Sequence, residues 1–101
     1  MTKKPEIVKW EDLIEREDGL YYKKYARVPF TGAVKDFYEN GQLSSRLNYK
    51  NGEQDGLTEW FHENGQVGER GYYKNGEREG LTEIFNANGQ LSSRYNYKNG
   101  E

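Results

Sequence analysis

The chain has 101 residues, 33% of them hydrophobic, and 15 Lys and Arg against 17 Asp and Glu leave a formal charge of -2 with the two signs interleaved. That length supports one domain with a thin core, and the balance of charge supplies neither the basic stripe that neutralises nucleic-acid phosphates nor the clustered Lys and Arg of a polybasic membrane anchor. With no Cys, disulfide, thiolate–metal and cysteine-nucleophile chemistry are closed, and nine Tyr beside four Phe leave burial to rings that mostly keep a polar edge wet.

Residues 1–31 read as an irregular N-terminal cap. The opening Thr2-Lys3-Lys4-Pro5-Glu6 holds no apolar run of signal-peptide length, and no window reaches transmembrane length, so the expectation is a soluble, cytoplasmic protein. In IVKWEDLIER (7–16), Ile7, Val8, Trp10, Leu13 and Ile14 fit either a short strand pair or a single helical turn. Asp18-Gly19 followed by LYYKKY reads as a turn and a strand, and RVPFTG (27–32) as a Pro-stiffened connection.

From Gly32 onward the sequence is periodic. Asn-Gly occurs at 40–41, 51–52, 64–65, 75–76, 88–89 and 99–100, at alternating intervals of 11 and 13 residues that sum to 24. Asn tolerates the left-handed backbone region and Gly enters it freely, so each pair marks a hairpin turn. Three units follow, 32–55, 56–79 and 80–101, and the first and third share the blocks NGQLSSR and YKNGE. Each unit reads strand, turn, strand, turn: 33–38, 57–62 and 81–86 are the first strands, and 43–49, 67–73 and 91–97 the second. The fold class expected is all-β, an elongated single-layer antiparallel meander of tandem 24-residue hairpin repeats. Leu91 to Lys98 ends it as an uncovered edge strand, open to pairing into a dimer.

Loop length sets which residues share a face. A two-residue loop at Asn40-Gly41 would separate Phe37 from Leu43, Leu47 and Tyr49. A three-residue loop, Glu39-Asn40-Gly41, pairs Phe37 with Leu43, and the same choice at Lys50-Asn51-Gly52 carries Leu57 and Phe61 onto that face. The other face then holds Val34, Tyr38, Trp60, Tyr72 and Ile84 among Ser44, Arg46, Asn48, Arg70 and Arg94. Tyr38, Trp60, Tyr72 and Ile84 are the candidate partner-binding residues. Gly32, Gly56 and Gly80 open the first strands, at places where a neighbouring ring could lie over bare backbone.

The units GLTEWFHENGQVGERGYYKNGEREG and GLTEIFNANGQLSSRYNYKNGE resemble the MORN-repeat variant family, and DGLYYKKYARVPFTG (18–32) resembles the segment that precedes such repeats. The resemblance covers about residues 18–101. It implies a bacterial protein-interaction module, in particular the antitoxin that neutralises a toxin encoded nearby. The alternative it implies is a structural or membrane-associated scaffold, which the balanced charge does not favour.

No residues point to catalysis. His62 is the sole histidine and has no triad or metal-ligand company, so a surface role is expected. Glu59 and Glu83 occupy equivalent positions and could form a glycosidase-like pair, but cross-strand ion pairing with Lys or Arg fits them better, although the register above sets Glu59 against Leu43. Ser44-Ser45 and Ser92-Ser93 lack a general base, and the Asn-Gly loops lack the strand-to-helix setting of a phosphate loop. No enzyme activity, cofactor or metal is expected.

Overall fold

In the computed structural model, which describes residues 6–101, the Asn-Gly pairs turn the chain in two alternating ways. At the first kind, the Gly41 N–H donates to the Tyr38 carbonyl at 2.9 Å and the Tyr38 N–H to the Gln42 carbonyl at 2.8 Å, with Gly41 at φ +87°. This is the three-residue loop expected from the spacing, a type I turn closed by a G1 bulge. At the second kind both residues are left-handed, Asn51 at +51° and Gly52 at +86°, and Lys50 lies opposite Glu53. The loop here has two residues, a type I′ turn, and not the three of Lys50-Asn51-Gly52. Asn can occupy the first left-handed position at little cost, so the tighter turn whose twist matches the strands wins.

The strands are β1 (Glu6–Val8), β2 (Leu13–Glu15), β3 (Tyr21–Lys23), β4 (Gly32–Phe37), β5 (Leu43–Lys50), β6 (Glu53–Gln54), β7 (Gly56–Phe61), β8 (Val67–Lys74), β9 (Glu77–Arg78), β10 (Gly80–Phe85) and β11 (Leu91–Tyr97). The main sheet runs β1-β4-β5-β7-β8-β10-β11, with β6 and β9 branching from β5 and β8. Its repeats pair antiparallel, but β1 lies parallel to β4, with Glu6 opposite Gly32 and Val8 opposite Val34. That parallel strand and the two branches depart from the plain antiparallel meander. The 7–16 segment contains both of the structures that fit it: β1 closes at Val8, Trp10–Asp12 form a 3₁₀ turn, and β2 pairs with β3. The radius of gyration, 14.6 Å, exceeds the ~13 Å of a compact domain this size, as an elongated repeat stack should.

A second irregularity resets the faces. Phe37 sits opposite Leu43 as expected, but Asp36 sits opposite Ser45, so Ser44 is an extra residue. Equivalent bulges occur between Trp60 and Phe61 and between Ile84 and Phe85. Each reverses the alternation, so Val34 lies opposite Leu47 and shares a face with Ser45 and Tyr49, while Phe37 goes with Lys35 and Arg46. The expected face uniting Phe37, Leu47, Tyr49, Leu57 and Phe61 does not form. Val34, expected on the binding face, is instead fully buried at 0% exposure and packs with Phe30, Leu47 and Tyr49. Tyr72 lies opposite Leu57, on the reverse side of the sheet from Trp60, which aligns with Ser45 and Glu69.

The core is confined to the N-terminal end, and the same structural positions become polar along the stack. Phe30 and Val34 are apolar; one repeat later the Thr58 hydroxyl donates to Gln54 Oε1 at 3.2 Å; one repeat after that, Arg78 Nη1 donates to the Thr82 hydroxyl at 3.3 Å. Thr58 and Thr82 are buried, which is tolerable because their hydroxyls are bonded. The Arg78 guanidinium also stands 5.4 Å from the Tyr73 ring and 5.5 Å from Tyr97. The successive hairpins are stapled edge to edge. Tyr38 donates its hydroxyl to the Phe61 carbonyl and His62 Nε2 meets the Phe85 carbonyl at 2.9 Å. Asn40 and Asn64 donate their amides to the carbonyls of Glu63 and Ala87 at 3.0 and 2.7 Å. Of the three strand-opening glycines only Gly32 meets a close approach: a Cβ there would fall 2.4 Å from the Glu6 carbonyl oxygen and 2.8 Å from the Phe30 ring.

Candidate functional site

The cap folds back over the face that carries Val34, Leu47 and Tyr49, and between the two lies a groove of about 1150 Å³. One wall is aromatic. Trp10 is fixed at the 3₁₀ turn, whose closure is helped by the Lys9 N–H donating to Asp12 Oδ2 at 2.9 Å. The Trp10 N–H donates to Asp36 Oδ2 at 3.3 Å, tying the cap to β4. Its ring stands 5.3 Å from Tyr21, which stands 5.5 Å edge-on to Tyr49, which meets Phe30 at 6.2 Å. The core therefore extends as a continuous row of rings to the groove surface. The opposite wall consists of Trp60 and the branch strand β6 with the turn that follows β8.

Both tryptophans are 47% exposed, although Trp is among the residues that folding normally covers most. Among the described residues the groove also carries carboxylates, Glu11, Asp36, Glu53 and Glu77, against the single cation Lys9. The ion pairs among the described residues engage other acids: Glu6 with Lys23, Glu59 with Arg46 and Arg70, Glu69 with Arg78, and Glu83 with Arg94. The groove thus combines exposed aromatic faces with acidic groups that have no ion-pair partner within the described residues.

The reverse face carries a row of charges. Register aligns Arg46, Glu59, Arg70, Glu83 and Arg94 in a row of alternating sign across five strands. Cross-strand ion pairing is what the sequence suggested for Glu59 and Glu83, but the partners of Glu59 are Arg46 and Arg70 rather than Leu43. Burial pushes the Glu59 carboxyl up, and hydrogen bonds and charge from the two arginines overcome this and hold it below the ordinary carboxylate value.

Of the four candidate binding residues, Trp60 lines the groove. Ile84 shares its face one repeat on, Tyr38 spends its hydroxyl on the Phe61 carbonyl, and Tyr72 stands half-exposed on the reverse side. Trp10, Tyr21, Asp36, Glu53 and Glu77 also line the groove and were not among the candidate binding residues. Trp10 was visible as the one large ring in an ambiguous cap; nothing in the repeat pattern announced that the cap would fold over it. His62, expected at the surface without a task, staples the second hairpin to the third.

Among the described residues, no group of three or more His, Cys, Asp or Glu is placed to hold a metal ion, and no helix is long and apolar enough to cross a membrane. Stacked hairpins, a polar repeat interior and a capped aromatic groove define a β-repeat protein. The family described as MORN repeat variant matches residues 30–51, 54–76 and 78–99. The chain belongs to that family, whose repeats are non-catalytic interaction modules. Neither the comparison with curated proteins nor that with solved structures finds a match.

Proposed function

We propose that this MORN-repeat protein is a protein-interaction module whose recognition surface is the groove between the cap and the first two repeats. The observation that carries the reading is the pair of half-exposed tryptophans, Trp10 on the cap and Trp60 on β7, that line one groove. Large aromatic side chains in a concave, preorganised setting are the residues that dominate binding energy at protein interfaces. The particular instance proposed, on the strength of the family resemblance, is a bacterial cytoplasmic antitoxin that occludes its toxin. Self-pairing through the free edge of β11 is a subsidiary part of the proposal, since that strand has β10 on one side and no neighbour on the other among the described residues.

The test is affinity capture of the tagged protein from its source cells, followed by co-expression of any stoichiometric partner. A partner whose expression arrests growth, with growth restored by this chain, supports the antitoxin instance. A stoichiometric partner without toxicity retains the interaction module and removes the antitoxin. Recovery of the chain alone, or in the membrane fraction, contradicts both.

A further inference from the structure

We infer that the groove binds an extended polypeptide segment carrying Lys or Arg side chains, with the cationic heads over Trp10 and Trp60 and their charge met by Asp36, Glu53 and Glu77. This rests on the interaction-module reading and specifies its partner by charge. Three features of the groove converge on that chemistry.

The first is sign. Among the described residues lining the groove, Glu11, Asp36, Glu53 and Glu77 stand against Lys9 alone, in a protein whose overall charge is only -2. On the sheet outside the groove, Glu59 lies between two arginines and Glu69 pairs with Arg78. At the concave surface this excess of acid lies where low-dielectric walls focus the field on an incoming cation. An anionic partner, such as a phosphate-bearing lipid or nucleic acid, would meet repulsion there.

The second is the aromatic complement. An exposed indole face is the best π surface for a guanidinium or ammonium group, and the attraction grows when the cation is partly desolvated, as it would be between two walls. The chain itself uses this contact four times: Arg16 over Tyr22 at 4.0 Å, Arg46 over Phe61 at 5.8 Å, and Arg78 near both Tyr73 and Tyr97. Trp10 and Trp60 line the groove, are half-exposed, and have no such internal cation among the described residues.

The third is size and shape. At about 1150 Å³ the cavity is above the upper end of the range for small-molecule sites. Trp10 is preorganised by its backbone bond to Asp36 and its contact with Tyr21, so little ordering cost accompanies binding.

The probe is a short fluorescein-labelled peptide alternating Arg and Gly, compared with its Glu-for-Arg counterpart by fluorescence anisotropy against the full chain. The Arg peptide is expected to bind saturably, more weakly at higher salt, and the Glu peptide not at all. Trp60→Ala, and separately Glu53→Gln with Glu77→Gln, should each weaken binding by about tenfold or more. Glu83→Gln on the reverse face should leave it unchanged. Circular dichroism on each variant separates lost binding from lost fold, and the Glu-to-Gln pair, with Glu53 half-buried, Glu77 exposed and neither in an ion pair among the described residues, keeps the test open should Trp60→Ala fold poorly. Absence of Arg-peptide binding, or binding that Glu53→Gln with Glu77→Gln leaves intact, overturns the inference. If the natural partner is captured equally by wild type and by these variants, the groove assignment falls and the interaction module stands. If no partner is captured at all, the module reading falls.

Discussion

Arg46 donates through both Nε and Nη2 to one carboxylate oxygen of Glu59, at 3.1 and 2.7 Å, while the other oxygen accepts from Arg70. Glu59 is only 3% exposed, so this shared acceptor joins β5, β7 and β8 at the middle of the sheet. Glu59→Ala is expected to cost about 2 kcal/mol, the scale of a buried charge-assisted pair whose cationic partners still reach water. Glu83→Ala removes only a 3.5 Å pair to the exposed Arg94 and should cost less than about 0.5 kcal/mol. Urea midpoints at neutral pH compare the two, and equal losses would contradict the three-strand role of Glu59.

The same cluster fixes an acid limb of stability. Because the folded Glu59 value lies below the ordinary 4.5, its contribution is complete above that pH and is lost as the pH falls through the lower folded value. At the alkaline end, burial foremost, then Tyr21, Tyr73 and Glu15, push the Tyr49 phenol well above its ordinary 10.0. Its contribution is complete below pH 10 and is lost as the pH rises toward the folded value. Thermal midpoints across pH should therefore fall at both ends, with Glu59→Gln flattening the acid limb and Tyr49→Phe the alkaline one.

The staples between hairpins predict a difference between two identical turn residues. Asn64 and Asn88 each accept the N–H two residues on through Oδ1, but only Asn64 also donates to the next repeat, at the Ala87 carbonyl. Aspartate keeps the acceptor and deletes the donor. Asn64→Asp should cost about 1 kcal/mol, and Asn88→Asp close to nothing, by chemical denaturation. Equal effects would mean that the staples carry no stability.

Tyr25 is left-handed at φ +68° and 98% exposed, so its ring returns nothing for a conformation that costs a non-glycine residue about 1 kcal/mol or more. Tyr25→Asn should leave the fold intact and raise the melting midpoint slightly. A drop in the isolated protein would contradict this account of the position; an unchanged fold with weakened partner binding would place the ring in an interface.

The repeat period, the turn positions and the three-residue loop at Glu39-Asn40-Gly41 were legible because Asn-Gly spacing is a local signal. The faces were not, for two reasons. Asn51 could enter the left-handed region as readily as Gly52, so a two-residue loop competed with a three-residue one. Of the extra residues at the bulges, Gly68 is of a type that often marks one, but Ser44 and Ser92 bear no mark distinguishing them from ordinary strand residues. Each event flips parity, which is why Val34 moved from the expected binding face to the core and Tyr72 to the reverse side. Trp60 lines the groove by its place on β7, but its partner Trp10 comes from outside the repeats. That juxtaposition depends on the 26-residue separation closed by the Trp10–Asp36 hydrogen bond, which no local pattern encodes.

The most direct test of the interaction reading is native mass spectrometry of the protein isolated from its own cells at low salt. The account predicts a hetero-complex in which this 11.9 kDa chain is held at fixed stoichiometry with one other polypeptide, dissociating as salt is raised. The bare chain, or the chain carrying only phospholipid adducts, would contradict it.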